Sequence, residues 1–596
     1  MPRTEISGLR RGALAAYEWL FTPAAAPDRR FWAVFWAAIA IAVVLGLTGL
    51  QAAFADRLSI QDDARQHIFW MRRFMEPHAF AGDAIADYFQ TVSPWGVKNL
   101  YRTAAALGLN PLFFNKLLPL ALGLVTAIYS VVLGWMMMPV PAAAGLGATL
   151  LQLSLWMRDD LVSGTAVAFA VPLMLPVLVH GFRNQRGPLA IALLALTGTY
   201  PQCALVMVAT LTLGTFPDWW LMRRSPRQTR ITVAIAWLIF ILGALPFLLR
   251  HNPYGPVMTA TEAQTLGTFA PKAWSSFFTN DAWNFWVCGQ RSGILPQEWC
   301  RLMSNHSVLL IPLWSILALV LPIFIGLRRL FPLGVQLRPP SRLLGQLSLA
   351  SLGCFALAHQ LLFRLHLPNR YTEHSLRIVA AFGGGIAIAL ILERCYRTLI
   401  NPDPDRPFIN AIDILSGLII FLTLITYPLA LNTKNYDFPT TNYTAGIPSL
   451  HQFLRTQPPD SLVASLEKEA DNIPALAGRS IYVGAKGYIL PYHKGFYGEM
   501  VDRLSRLTAA QYSDRPETLK KFFQDSGITH WLINRNSFTE DYLDARQFRQ
   551  FNLGENIRQE LRQGKQPILP TVLETCSVWS QDDLILVTTD CINASF

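Results

Sequence analysis

The sequence predicts a polytopic α-helical membrane protein with about eleven transmembrane helices and a C-terminal α/β domain outside the membrane. Of its 596 residues, 52% are hydrophobic and only 15% are charged. An ordinary soluble domain has about 25% charged residues, so this chain has too few to cover the surface of a soluble protein. Its apolar residues also form blocks of about 20, which is long enough to cross a hydrocarbon core of about 30 Å.

Eleven apolar blocks mark the predicted transmembrane helices. They lie at about 31–54, 112–137, 141–157, 165–182, 188–200, 202–217, 230–249, 307–327, 342–362, 376–394 and 409–431. The two blocks around Tyr200-Pro201 are short. They predict either two tight helices or one broken helix, because proline lacks an N–H and clashes with the preceding turn. The first block is far longer than the apolar part of a signal peptide, so we expect it to remain as the first helix.

Basic residues in the short loops predict the orientation, because Lys and Arg mark cytoplasmic loops. With a cytoplasmic N-terminus, every short basic loop falls on one side. The arginines in question are Arg183, Arg186, Arg223, Arg224, Arg227, Arg230, Arg328, Arg329, Arg338, Arg342, Arg394, Arg397 and Arg406. The predicted parts are a cytoplasmic segment 1–30, a transmembrane module 31–431 with outer loops 55–111 and 250–306, and an extracytoplasmic domain 432–596.

This loop bias also explains the net charge of +11. A basic chain often binds nucleic acid, but this one has no RNA-binding motif and no interleaving of basic and aromatic residues. We therefore expect the lipid bilayer, and not nucleic acid, as a partner. The amphipathic stretch 64–75 in the first outer loop predicts a helix that lies on the headgroup layer or packs on the bundle.

The C-terminal domain reads as α/β. Residues 480–484, 529–534 and 584–588 predict strands, and 515–525 predict a helix. No phosphate-loop or dinucleotide signature occurs in it, because the glycines after the first strand lack the remaining spacing.

Four of the seven cysteines fall on the predicted outer side, two in each of two segments. Oxidising compartments favour disulfides, so we predict the pairs Cys288–Cys300 and Cys576–Cys591. The alternative is four small buried hydrophobic residues. No spacing indicates structural zinc.

A first polar cluster follows the first helix, in the run Gln61-Asp-Asp-Ala-Arg-Gln-His. Asp62 or Asp63 could take a proton from an acceptor hydroxyl as a general base, or share a divalent ion with a phosphate. Arg65 and His67 complete this dense patch. The structural alternative is a helix N-terminus, where the helix dipole favours acids.

A second cluster lies in the short loop between the third and fourth helices, in the run Arg158-Asp-Asp-Leu-Val-Ser-Gly-Thr. So short a loop places Asp159 and Asp160 at the membrane surface, near the bundle axis. The structural alternative is helix capping by Asp160 or Ser163. Capping requires one acid, whereas this loop has two acids and an arginine.

A third cluster precedes the tenth helix, in the run Pro368-Asn-Arg-Tyr-Thr-Glu-His-Ser-Leu-Arg. Arg370, His374 and Arg377 recur at spacings of four and three, which places them on one helix face. The planar donor fork of arginine suits phosphate. Polar groups near a membrane helix are functional candidates, and a phosphate-bearing lipid fits this set. The alternative is snorkelling of long basic side chains to the interface.

Taken together, these motifs resemble the GT-C superfamily of polytopic glycosyltransferases, which use polyprenyl-phosphate-linked sugars. The resemblance covers the whole architecture, with an acidic motif in each of two outer loops and a trailing outer domain. The runs that begin at Arg158, at Leu367 (Leu-Pro-Asn-Arg-Tyr) and at Tyr488 (Tyr-Ile-Leu-Pro-Tyr-His), and the pair Tyr200-Pro201, look like those of uncharacterised bacterial members.

The resemblance implies roles for residues of this chain. Its catalytic base maps to Asp62 or Asp63, with Asp63 favoured. The second acidic motif maps to Asp159 and Asp160, which would help to hold a metal or orient the acceptor, and Asp160 is counted with the catalytic residues. The residues expected to bind substrate are Arg65, His67, Asp159, Arg370, Tyr371, His374 and Arg377. Some members need a divalent cation such as Mg²⁺ or Mn²⁺, whose ligands here would be Asp63 and Asp160. Both acidic motifs are doubled in this chain, which departs from the pattern.

The function implied is transfer of a hexosyl or pentosyl group from a polyprenyl-phosphate donor to a glycan, lipid or protein acceptor. The resemblance implies reaction at the outer face, with inversion, in a bacterial inner membrane. A transporter or lipid flippase is the first alternative, but the halves of the chain do not match and the acids lie at a surface. A non-catalytic scaffold that binds glycan is the second.

Overall fold

A computed structural model describes residues 3–156, 158–215, 227–297, 299–300, 313–433, 443–485 and 487–596. Its first 433 residues are almost entirely helical. The helices are α1 (Arg3–Phe21), α2 (Arg29–Ala53), α3 (Asp62–His67), α4 (Ala84–Val92), α5 (Trp95–Ala106), α6 (Pro111–Met137), α7 (Pro141–Trp156), α8 (Asp159–Val162), α9 (Ala170–Phe182), α10 (Arg186–Thr199), α11 (Pro201–Leu213), α12 (Arg227–Leu248), α13 (Ala260–Gln264), α14 (Ala282–Trp286), α15 (Leu313–Gly326), α16 (Leu343–Gln360), α17 (Glu373–Ile400) and α18 (Pro407–Thr433).

A helix occurs at each of the eleven predicted positions, within the residues described. Residues 157, 216–217 and 307–312 of three predicted spans, and the loop residues Arg223 and Arg224, lie outside them. Among the described residues, six helical stretches are long and apolar enough to cross a membrane: Arg29–Ala53, Pro111–Met137, Arg227–Leu248, Pro339–Gln360, Pro368–Ile400 and Pro407–Ile425. The chain is therefore an integral membrane protein. Ala166–Phe182, Arg186–Thr199, Pro201–Leu213 and Trp314–Gly326 are shorter, so eleven crossings remain a prediction.

The chain breaks at Tyr200, as its proline predicts. Helix α10 ends at Thr199, and α11 begins with Pro201 in its first turn. Proline suits a first turn because the N–H that it lacks would have no intrahelical partner there. The structure therefore has two short helices at this position and not one broken helix.

Loops that are predicted to lie on the cytoplasmic side contact one another at one end of the helix bundle. Arg338 N–H donates to the Met137 carbonyl (2.9 Å), and Ala24 N–H donates to the Pro139 carbonyl (3.0 Å). The basic N-terminal segment forms α1 there, and the Tyr17 hydroxyl donates to Glu393 (2.9 Å). Hydropathy did not predict α1, because it contains no long apolar block.

Two long segments connect bundle helices. The first connecting segment, residues 54–110, contains α3 to α5 and a 3-10 turn at Phe69–Phe74. The amphipathic helix predicted over 64–75 is therefore interrupted after His67. The segment begins with β1 (Ser59–Gln61), which pairs antiparallel with β2 (Tyr443–Ala445). The second connecting segment, residues 249–300, contains α13 and α14, and a disulfide joins Cys288 to Cys300.

The C-terminal region, residues 443–596, contains a five-stranded mixed sheet of order β4-β3-β5-β7-β6. Its strands are β3 (Leu462–Ser465), β4 (Ser480–Ile481), β5 (His530–Asn534), β6 (Ser577–Gln581) and β7 (Leu584–Thr588). Its helices are α19 (Pro448–Thr456), α20 (Ile473–Leu476), α21 (Lys494–Gln511), α22 (Pro516–Ser526), α23 (Arg546–Phe551), α24 (Gly554–Arg562) and α25 (Thr589–Ser595). Strand β5 is parallel to β3 and antiparallel to β7. The disulfide Cys576–Cys591 spans the β6–β7 hairpin.

Residues 487–497 attach this region to the first connecting segment. The buried Tyr488 hydroxyl donates to the carbonyls of Arg65 (3.3 Å) and Asp471 (3.1 Å). The ring of Tyr88 stacks on Phe496 with the centroids 3.7 Å apart. These contacts place three buried aromatic rings, those of Tyr88, Tyr488 and Phe496, between the two parts of the chain.

The same residues also attach to the second connecting segment. Met258 N–H donates to the Tyr492 carbonyl (2.9 Å), and Gly495 N–H donates to the Tyr254 carbonyl (2.8 Å). One stretch of eleven residues therefore holds both connecting segments against the C-terminal region.

We predict that Gly487→Ala destabilises this junction. Gly487 has φ +90, which L side chains rarely adopt, and its Cβ would overlap the side chain of Gln66. The expected loss is about 1–3 kcal/mol of unfolding free energy. It is measured as a lower Tm of the purified chain in detergent.

Gly498→Ala is the matched control. Gly498 lies in α21 with open space around its Cβ position, so alanine should leave Tm unchanged or raise it. An equal Tm for both variants would show that residue 487 does not constrain the junction.

Candidate functional site

Four charged side chains meet where α8 faces the start of α17. Arg377 donates to Asp160 Oδ2 (3.1 Å) and to Glu373 Oε1 (3.3 Å). Arg158 Nη1 lies 2.6 Å from Glu373 Oε1, and Arg158 Nε lies 3.6 Å from Asp160 Oδ2. These residues, called here the ion-pair network, join the second and third sequence clusters.

The network is buried. The Arg377 side chain has no exposed surface, and those of Glu373 and Asp160 are 2% and 10% exposed. Burial alone would raise the pKa of Asp160, but Arg158 and Arg377 outweigh it and hold the pKa below its usual value. Asp160 therefore stays ionised at neutral pH, with its charge balanced inside the protein.

The loop that carries Asp160 is fixed by neighbouring helices. Asn115 in α6 donates to the Ser163 carbonyl (2.7 Å), and Tyr101 in α5 donates to the Gly164 carbonyl (2.8 Å). The Ser163 hydroxyl donates to the Asp160 carbonyl (2.8 Å). Helix α8 has no side-chain cap, and the Asp160 side chain forms ion pairs instead of the cap considered from sequence. Asp159, at its start, is half-buried.

The third cluster spans the turn Pro368–Tyr371 and the start of α17. Arg370 Nη1 donates to Glu373 Oε2 (3.4 Å), and its side chain is 27% exposed. The buried Tyr371 hydroxyl donates to the Leu365 carbonyl (2.9 Å). His374 is buried against the ring of Tyr200, 5.5 Å between centroids, and its Nε2 has no hydrogen-bond partner among the described residues.

The first cluster forms the short helix α3. Gln61 caps it by accepting from the N–H groups of Asp63 (2.7 Å) and Ala64 (3.0 Å). Asp62 and Asp63 occupy the first turn, where the helix dipole favours acids. Arg65 donates to Asp62 (2.6 Å). Asp62 and Asp63 thus occupy the helix N-terminus that was considered from sequence, and this position is compatible with a chemical role as well.

Arg370 lies close to both connecting segments. Burial and the Arg370 charge lower the pKa of His67, in the first segment, to about 4. They also lower the pKa of His366 to about 3, with help from Arg291 and His493. Asn369, next to Arg370, donates to the Gln290 carbonyl (3.1 Å). Arg370, in the third cluster, therefore acts on His67 of the first cluster through its charge and contacts the ion-pair network through Glu373.

Two members of the network were not among the sequence-predicted site residues. Glu373 stands three residues after Arg370 and four before Arg377, which is ion-pair spacing on a helix, and this signal could have identified it. Arg158 was noticed next to the acid pair, but its contact with Glu373 spans more than 200 residues of sequence. No local pattern encodes that contact.

The divalent cation that the family resemblance implies does not suit the side chains around Asp160. Asp160 Oδ2, a predicted metal ligand, already lies between two guanidinium groups. Among the described residues, no three His, Cys, Asp or Glu side chains form a group that could hold a metal ion. The positive charges of Arg158 and Arg377 would repel a cation beside Asp160, so the reaction proposed for this chain uses no metal ion.

Neither a protein-family model nor a curated protein matches the sequence. Solved structures do match the fold. The archaeal oligosaccharyltransferase AglB from Archaeoglobus fulgidus, in complex with an inhibitory peptide and a dolichol-phosphate, has a TM-score of 0.53 and 11% identity, over 89% of this chain and 71% of that chain. The apo form of the oligosaccharyltransferase from Archaeoglobus fulgidus has a TM-score of 0.50 and 12% identity, over 86% and 70%.

ArnT from Cupriavidus metallidurans, bound to undecaprenyl phosphate, covers 94% of this chain and 98% of its own at 12% identity, with a TM-score of 0.43. The resemblance predicted from sequence is confirmed at the level of the fold, which this chain shares with the archaeal oligosaccharyltransferase.

We predict that Arg377→Met strongly destabilises the chain. It removes the guanidinium that contacts both buried carboxylates, and breaking a buried ion pair from one side costs about 3–5 kcal/mol. Thermal unfolding in detergent should show a Tm several degrees lower.

Arg364→Met is the matched control, because Arg364 is exposed just before the same turn. Adding Asp160→Asn to Arg377→Met should recover part of the loss, since it removes one uncompensated charge. A Tm for Arg377→Met equal to that of the unmodified chain would show that the network does not stabilise the fold.

Proposed function

We propose that this chain is a membrane glycosyltransferase that transfers a sugar from a polyprenyl-phosphate donor to a glycan, lipid or protein acceptor. The observation that carries the proposal is the placement of Arg370. This partly exposed arginine adjoins the buried ion-pair network, and burial and its charge lower the pKa of His67 in the first connecting segment. The GT-C fold supports a donor of this class.

Arg370 is the phosphate-binding residue of the proposal. Among the described residues, the Arg370 guanidinium donates one long hydrogen bond, to Glu373, so its other N–H groups are available to a ligand. Arg377 was assigned the same role from sequence, but it is enclosed and saturated by Asp160 and Glu373. It positions Arg370 through Glu373. Nε2 of the buried His374 is a further polar atom for the donor.

Asp63 is the proposed base. The resemblance favours Asp63 over Asp62, and Asp160 is bound to two arginines that stabilise its ionised form and weaken it as a proton acceptor. Asp63 lies in the same first turn as Asp62, with its backbone N–H held by Gln61. Asp160 becomes a positioning residue that keeps α8 and α17 together.

The reaction is a direct displacement at the anomeric carbon. The acceptor oxygen forms a bond to this carbon on the face opposite the phosphate, its proton passes to Asp63, and the bond from carbon to phosphate oxygen breaks. The anomeric configuration inverts, and polyprenyl phosphate leaves. Arg370 stabilises the charge that develops on the leaving phosphate.

The proposed topology places this chemistry outside the cytoplasm. Segment 1–30 would be cytoplasmic, 31–431 would form the transmembrane module, and 432–596 would form an outer α/β domain. The basic loops support this orientation, and so do two disulfides in the segments assigned to the outer side. A bacterial inner membrane is the proposed location.

Arg370→Gln should weaken binding of polyprenyl phosphate at least about tenfold, because it removes a charge-assisted contact to phosphate. The measurement is binding of decaprenyl phosphate to the purified chain in detergent, with decaprenol as the ligand that lacks phosphate. Arg364→Gln removes an exposed arginine from the preceding loop and should bind like the unmodified chain. Unchanged binding by Arg370→Gln would remove Arg370 from the donor site.

Asp63→Asn should lower the transfer rate about 10²- to 10⁴-fold while decaprenyl phosphate binding is retained, because it removes the base but not the phosphate contact. Transfer is measured in membranes with radiolabelled polyprenyl-phosphate-linked hexoses and pentoses. Asp56→Asn, at an exposed position of the same segment, is the control. Full transfer by Asp62→Asn, Asp63→Asn and Asp160→Asn, each made singly, would end the proposal.

A further inference from the structure

A cavity of about 490 Å³ lies between the first connecting segment, the start of α6 and the C-terminal region. Arg72 and Glu76 line it from the first side, Leu112 from the second, and Arg455 and Arg479 from the third. It shares no lining residue with the ion-pair network or with Asp63 and Arg370. The cavity is therefore separate from the proposed transfer site.

Two of its arginines are bound only to main-chain carbonyls. Arg455 donates to the Leu476 carbonyl (2.9 Å from Nε), and Arg479 donates to those of Arg455 (2.8 Å) and Gly478 (3.0 Å). Within the described part of the chain, neither arginine forms an ion pair with a carboxylate. Their hydrogen bonds hold them in place and leave their positive charges unbalanced.

The third arginine is brought close by a glycine. Gly478 has φ +68, and a Cβ there would overlap Arg72 Nη1, so only glycine lets this guanidinium reach the chain beside Arg479. Arg72 pairs with Glu76 (2.8 Å). Burial and the charge of Arg72 lower the pKa of Arg479, although its guanidinium remains protonated. Among the residues that line the cavity, three are arginines and one, Glu76, is acidic.

The cavity opens where a long apolar helix begins. Pro111 and Leu112, in the first turn of the 27-residue helix α6, line it, and Asn110 caps that helix. Nearby Leu107 and Phe113 are 77% and 46% exposed, as expected of side chains that meet lipid. The positive end of the helix dipole adds to the arginine charges. The position corresponds to the headgroup layer of a membrane.

We propose that this cavity binds a phosphate group, either that of an anionic lipid headgroup or free phosphate, between the first connecting segment and the C-terminal region. Arg72 and Arg479 would both donate hydrogen bonds to the phosphate, one from each of the two parts of the chain. The bound phosphate would hold the two parts together and neutralise charges that otherwise repel. This role is independent of sugar transfer.

The test uses the full chain in detergent and three probes: dihexanoyl phosphatidic acid, dihexanoyl phosphatidylcholine and inorganic phosphate. Phosphatidic acid should raise Tm, and phosphatidylcholine should not, because its choline cancels the charge. An equal effect of inorganic phosphate identifies a free-phosphate site, and a much smaller effect identifies a lipid site. No shift with either anionic probe overturns the proposal.

Variants locate the site. Arg72→Gln and Arg479→Gln should each weaken the apparent affinity for the effective probe about tenfold, through the loss of one charge-assisted contact. Arg72 is half-exposed, so its substitution tests the site even if Arg479→Gln fails to fold. Arg515→Gln removes an exposed arginine of the C-terminal region outside the cavity and should respond like the unmodified chain. Equal affinity in Arg72→Gln and Arg515→Gln overturns the proposal.

Discussion

The buried contact of Arg377 with Asp160 and Glu373 is the interaction on which the site depends. Charges enclosed in a low-dielectric interior are costly unless each has a partner at good geometry, and here two arginines and two acids supply those partners. The network ties a short loop between α7 and α9 to the start of α17. Arg370, one turn earlier, is fixed by the same arrangement and stays accessible.

The second constraint is the attachment of residues 487–497. This stretch contacts both connecting segments and begins beside the C-terminal sheet. The acids of α3 and the arginine before α17 belong to parts of the chain that are more than 300 residues apart. Tyr488 holds the first of these parts to the C-terminal region, because its hydroxyl donates to the carbonyls of Arg65 and Asp471. The same stretch also holds the second connecting segment, whose Gln290 carbonyl accepts from Asn369, next to Arg370.

Sequence predicted much of this site, but unevenly. Asp160, Arg370 and Arg377 were identified because charges beside apolar helices are conspicuous, and the structure brings them together. Their roles were less accessible, because Arg370 and Arg377 look alike in sequence and differ only in burial. The cavity of Arg72, Arg455 and Arg479 was not predicted, since those residues lie far apart in ordinary polar stretches.

The sequence by itself determined the membrane character, the positions of the helices and the residues that carry charge near them. Those features follow from local composition, because a run of apolar residues long enough for a bilayer has few other solutions. The tertiary structure alone decided which charges are enclosed and which are exposed. Burial depends on neighbours from distant segments. Glu373 is enclosed because Arg158 reaches it from another loop, whereas Arg370 contacts Glu373 through one long hydrogen bond and stays 27% exposed.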